Sequence, residues 1–295
     1  MAGLVDKLLS LDRRWLFLIV LIGVATPIVM PIGLPVTTTA PSRAAFDFIE
    51  AMKPGDIALI SFDYGPSSAP ENDPMAEAFM RHCFLKKVRV IVTVLYPLGG
   101  LNLANNAIAK VIAEFPDLKY GEDYVNLGYK DGPAAVMRRM GQDIVGAFPT
   151  DSRGTPLAQI PIMRGVQSLR QVDLVFTVAT GIIGEWWITQ VHPQTGTPIL
   201  IGPTAVAAPK YYAYLNAGQL VGMLGGMKGA AEYEKLLRAR YPQLDTFYKT
   251  TRLFTATKGM DGQTVIHTMI LLFILVGNIA YVSRRASQGK RSGTA

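Results

Sequence analysis

The sequence predicts an α/β domain with a doubly wound, Rossmann-like and mainly parallel sheet, flanked by two transmembrane helices. Three observations predict it. Between residues 57 and 240, short apolar runs alternate with stretches of helical periodicity, the pattern of βαβ units whose sheet is covered on both faces. Two segments near the ends are apolar over about 20 residues, the length that crosses a hydrocarbon core. The 295 residues are 49% hydrophobic and only 17% charged, against about 25% charged in an ordinary soluble protein. This composition excludes intrinsic disorder, which needs low hydrophobicity and high net charge. Charges at the usual intervals through the middle argue against a many-span transporter.

Residues 1–14 read as a cytoplasmic amphipathic tail, with Leu4, Val5, Leu8, Leu9 and Leu11 on one helical face suited to a membrane surface. No residue from Trp15 to Ser42 is charged, and 15–34 forms the first predicted span. Pro27 and Pro31 should kink its outer half. A cleaved signal peptide is the rival reading, but the apolar run is long for one, so a retained anchor is expected. Thr37–Pro41 reads as a juxtamembrane linker.

The α/β domain is expected over 43–241. Ile57–Phe62 follows a Pro-Gly turn and reads as a buried strand, 74–86 as a helix, and Val88–Leu95 as a β-branched strand. Leu103–Phe115 has helical spacing, and Tyr124–Tyr129 reads as a strand. Gly132-Pro133 opens the next helix, with Asp131 as its cap. Val172–Ala179 and Pro198–Ile201 supply two further strands, and a long helix over about 209–240 closes the domain. Residues 242–262 read as a second juxtamembrane linker, with Phe247, Tyr248, Leu253 and Phe254 suited to lie at the surface. The second span is 264–283, followed by a basic tail over 284–295. His267 and Asn278 are its polar residues. His267 lies one turn inside the boundary, where a neutral imidazole suits the interface better than an ion pathway.

The net charge of +7 is a topology signal. The tail 284–295 carries four basic residues and no acid, and residues 1–14 carry one net positive charge, which leaves +2 for everything between. A nucleic-acid-binding domain gathers basic charge on a binding face, so no nucleic-acid partner is expected. By the positive-inside rule both termini are cytoplasmic in an inner-type membrane and the central domain is extracytoplasmic. Trp15 and Tyr281 fall near the basic ends of their spans, as interfacial aromatics do. The single cysteine, Cys83, shares a helical face with Met75 and Phe79. It permits no internal disulfide or thiolate cluster and reads as core.

In open parallel sheets, ligands bind beyond the carboxyl ends of the strands. The residues there are Asp63, Ser67 and Ser68; Gly99 and Gly100; Asp131; Thr180 and Gly181; and Thr204. Exposed amides and helix starts among such residues suit a small anion, although turns use the same residue types for themselves. Asp63 with Glu71 and Asp73 is a weaker candidate for a divalent-cation site and a metal-dependent hydrolase. No Walker A, G-x-G-x-x-G, G-x-S-x-G or H-E-x-x-H pattern occurs, so no catalytic residue, cofactor or metal ligand is assigned. Gly218, Gly222, Gly225, Gly226 and Gly229 fall on one face of the predicted last helix. Each glycine costs about 1 kcal/mol of helix propensity, which calls for a compensating close approach by another backbone. Lys210–Tyr214 and Trp186-Trp187 supply aromatics of the kind found at interfaces. The function expected is a non-catalytic scaffolding subunit of a homo-oligomeric or mixed membrane assembly, in contact with the bilayer. The alternative is an extracytoplasmic anion-binding or sensory domain built on the strand-end loops.

Overall fold

The structure, a computed structural model, describes residues 12–30, 32–244 and 255–292, with side chains as far as Ser283. The amphipathic tail through Leu11, and Phe247, Tyr248, Leu253 and Phe254, lie outside the described residues, as do the side chains of the basic tail. The chain divides into two units, Val36–Thr257 and a second made of Met1–Pro35 with Lys258–Ala295.

The larger unit carries six parallel strands in the order β3-β2-β1-β4-β5-β6. These are β1 (Ile57–Asp63), β2 (Arg89–Val94), β3 (Tyr124–Tyr129), β4 (Leu174–Ala179), β5 (Ile199–Pro203) and β6 (Gly222–Met223). All residues of β1, β4 and β5 are buried, as in a sheet covered on both faces. Alternation of side chains divides the apolar residues between two cores. On one face Leu59, Ile91, Val175 and Ile201 join Met137, Ile144, Leu169 and Trp187. On the other, α3 (Ala69–Leu85) seats Phe79 against Phe176 of β4, with ring centroids 4.6 Å apart. Helix α4 (Gly100–Ile112) follows β2, and α5 (Pro133–Met140) and α6 (Ile144–Ala147) follow β3. After β4 come α7 (Ile183–Trp186), a π turn over Trp187–Val191 and α8 (His192–Thr195).

Three expectations are corrected. A helix α2 (Ala40–Ala51) begins inside the stretch read as a linker; Pro41 sits in its first turn, and Ala45, Phe46 and Ile49 are buried. Helix α5 is preceded by Gly132 with φ +76°, not capped by Asp131, which is exposed and accepts a hydrogen bond from Tyr129. The long helix over 209–240 does not form. Helix α9 (Ala208–Asn216) ends, Gly218 turns at φ +70°, β6 joins the sheet edge, and α10 (Gly226–Arg240) begins. Val221 and Leu224 donate their N–H groups to Ile199 and Ile201 of β5, both at 2.9 Å. The glycine-rich stretch has weak helix propensity, and sheet hydrogen bonds replace the helical ones.

The smaller unit contains α1 (Arg13–Val29) and, from Lys258 on, α11 (Thr255–Ser292). Over Thr255–Ser283, α11 is long and apolar enough to cross a membrane. It starts nine residues before the predicted span, inside the stretch read as a linker. Helix α1 has 17 residues, fewer than the 20 predicted, so one membrane-length helix is present among the described residues, not two. Beyond its end the N–H groups of Ile32, Gly33 and Leu34 converge on the carboxylate of Asp261 at 2.9, 2.8 and 2.9 Å. A non-helical segment thereby satisfies its backbone donors on a buried side chain. Gly23 of α1 faces Met269 of α11, whose sulfur would lie 2.6 Å from an added Cβ.

Candidate functional site at the carboxyl edge of the sheet

The strand order reverses between β1 and β4, and the loops leaving those strands flank the crevice where doubly wound proteins bind ligands. Asp63 closes β1 there, with no exposed surface. Its carboxylate accepts from the Ser61 hydroxyl (2.7 Å), the Thr177 hydroxyl (2.7 Å) and the Trp187 indole N–H (2.8 Å). The Leu95 backbone supplies a further bond. Burial pushes its pKa up to about 6, against these four hydrogen bonds, which lower it. Asp63 therefore joins β1, β2 and β4 to the π turn and is turned away from solvent.

The remaining predicted residues take several roles. Ser67 is exposed, while Ser68 precedes α3 and donates its hydroxyl to the Gly65 carbonyl at 3.1 Å. Gly99, at φ +80°, makes the turn into α4. A Cβ on Gly100 would lie 2.9 Å from Val94, so that glycine permits close packing of helix on strand. Thr180 donates its N–H to the Asp63 carbonyl at 3.0 Å, and the Gly181 carbonyl accepts from Lys210. The Thr204 carbonyl accepts from Ala207 and Ala208. The loops after β1, β2, β4 and β5 share one edge. Asp131 follows the outermost strand, β3.

The three carboxylates considered for a cation do not converge. Asp63 is held as above, Asp73 accepts from the Tyr64 hydroxyl at 2.6 Å, and Glu71 accepts from the Ala205 N–H at 2.8 Å. No group of three or more His, Cys, Asp or Glu side chains placed to hold a metal occurs among the described residues. Glu71 also sits in the first turn of α3, where it already supplies the negative charge that a helix N-terminus attracts.

Apolar side chains occupy the loop tips. Leu98 after β2, Ile182 after β4 and Val206 after β5 are 71%, 52% and 92% exposed. Each was legible in a turn sequence, Pro-Leu-Gly-Gly, Gly-Ile-Ile-Gly and Thr-Ala-Val-Ala. Reading those loops for glycine and polar groups passed over them. Beside them Glu185 accepts from the Tyr214 hydroxyl at 2.6 Å and pairs with Lys210 at 3.4 Å. Of the predicted interface aromatics, Trp187 and Tyr211 are core, whereas Tyr212 is exposed and Tyr214 half-buried.

The five glycines have separate roles. Gly218 turns the chain, and Gly222 lies against the α2 backbone, 2.6 Å from an added Cβ to the Ala45 nitrogen. Gly225 precedes α10. Gly226 combines φ +63° with Ala205 at 2.7 Å, and Gly229 abuts the Leu224 carbonyl carbon at 2.5 Å. The close approaches of Gly222, Gly226 and Gly229 are thus met within the domain, and no single helix face of glycine exists.

Sequence reasoning also missed His82 of α3. Its Nδ1 lies 2.6 Å from the Tyr233 hydroxyl of α10 and its Nε2 3.2 Å from Glu50 of α2. Burial lowers its pKa to about 4, outweighing the raising effect of Glu50. The neutral imidazole clamps three helices together. No protein-family model and no curated protein matches the chain.

Proposed function

We propose that this chain is a membrane-anchored, non-catalytic α/β subunit that scaffolds a homo-oligomeric or mixed membrane assembly through the carboxyl edge of its sheet. The observation carrying this reading is the exposure of Leu98, Ile182 and Val206 on the loops after β2, β4 and β5, at the edge where an α/β enzyme would place polar groups. Large apolar side chains exposed on several loops of one edge favour an interaction surface there. The acidic groups Asp63, Glu71, Asp73 and Glu185 at that edge are engaged by partners within the fold. In the same proposal α11 crosses the membrane, α1 and the Asp261-bound segment after it complete the other crossing, and both basic ends lie in the cytoplasm.

The test replaces Leu98, Ile182 and Val206 by serine together and measures particle mass in native membranes after cross-linking. The expected outcome is loss of the assembled species with stability changed by no more than about 0.5 kcal/mol per position, as for exposed positions. An unchanged particle mass would remove the reading.

A further inference from the structure

A second recess lies away from the loop edge, on the outer flank of β3. It has a volume of about 190 Å³ and opens between α4 and the turn at 151–155. Ile108 and Ile112 of α4 supply apolar surface, and Asn105, Tyr120, Asn126 and Arg153 supply polar groups. The Arg153 guanidinium stands 3.4 Å over the centre of the Tyr120 ring. A guanidinium stacked by its face keeps its N–H edge available for a carboxylate. The neighbouring acid, Asp151, is committed elsewhere. One of its oxygens accepts from the Tyr120 hydroxyl at 2.6 Å, and the other from the N–H groups of Arg153 and Thr155 at 2.9 and 2.7 Å.

The amides point to the same ligand chemistry. Asn126 Oδ1 accepts from the Gly128 N–H, and Asn126 Nδ2 donates to Asn105 Oδ1, both at 2.9 Å. Each amide oxygen thereby accepts a hydrogen bond, and the Asn105 N–H₂ group and the Arg153 edge are donors at the recess. No carboxylate lines the recess. A cation and amide donors beside aliphatic surface, in a recess of about 190 Å³, match a short anion with an apolar body.

We propose that this recess binds a small aliphatic carboxylate, its oxygens on the Arg153 edge and the Asn105 amide, its alkyl group on Ile108 and Ile112. The probe is isovalerate, titrated by calorimetry and ligand-observed NMR into the full-length chain in detergent, with isovaleramide as the neutral isostere. Saturable isovalerate binding is expected, at least tenfold tighter than the amide and weakened at least tenfold in Arg153→Gln. Because Arg153 and Asn105 are exposed, both positions tolerate replacement, and Asn105→Asp should repel the probe to a similar extent. The proposal is overturned by absence of saturable isovalerate binding. Equal affinity for the amide, or affinity unchanged in both variants, overturns it as well.

Discussion

Asp63 shows how a residue suited to catalysis can serve the fold. Its carboxylate is enclosed, and four donors hold it, yet burial still raises its pKa from 3.8 to about 6. A carboxyl that binds its proton more tightly folded than unfolded favours the fold most below its unfolded pKa. That contribution is lost as pH rises through the folded value. The shift corresponds to about 3 kcal/mol at about 1.4 kcal/mol per pH unit. Asp63→Asn cannot titrate, so the stability of the wild type relative to the variant should fall between pH 4 and 6 and level off above. Urea titrations of both proteins over pH 4–7 measure this, and the comparison cancels the opposite slope contributed by His82. Parallel curves would show that Asp63 does not titrate in that window. At neutral pH the variant should also be less stable by about 1–3 kcal/mol, because its amide N–H₂ must face a donor in the enclosed site.

At the scale of elements, five of the six strands were legible because apolar β-branched runs bounded by turn residues have few alternatives. β6 was not. Two residues carry no periodicity, and Gly222 and Met223 belong to a strand only because β5 offers them hydrogen bonds. The glycine spacing that suggested one helical face came instead from three separate close approaches and a turn. Sequence showed that small residues were required there but not which backbone required them. Gly222→Ala separates the two accounts. It places a methyl group 2.6 Å from the Ala45 backbone and should lower stability by about 1–3 kcal/mol without changing particle mass. Gly218→Ala meets no neighbour but adopts φ +70° and should cost about 1 kcal/mol. Loss of assembly in a folded Gly222→Ala protein would restore an interface role. The candidate site was half legible: its loops were found by topology, but their direction was not, since turn composition does not reveal whether Asp63 faces water or Trp187.

For the whole molecule, composition anticipated an α/β domain and one membrane-length apolar helix, while the second expected span is too short as a helix. Helix ends were less accessible to it, because the capture of three N–H groups by Asp261 joins positions more than two hundred residues apart in sequence. The proposed topology has a direct test. Cys83 is fully buried, and burial pushes its thiol pKa far up, so the native protein should be silent toward maleimides. In whole cells an impermeant maleimide should label Ser67→Cys, on an exposed loop, and label Ala2→Cys only after permeabilisation. The reverse pattern would invert the topology.

The contact of Ala45 with Gly222 also governs how the domain can assemble. Helix α2 is synthesised before any strand, yet the backbone it fits against belongs to the last strand made. Until β6 emerges, Ala45 of α2 lacks the backbone it packs against, and β5 is left as an open border able to pair with another chain. Such a long-range closure is slow by nature, because it must wait for a large loop to be ordered. The period between synthesis of β5 and arrival of the glycine-rich segment is therefore when the edge of the nascent sheet is most exposed to mispairing.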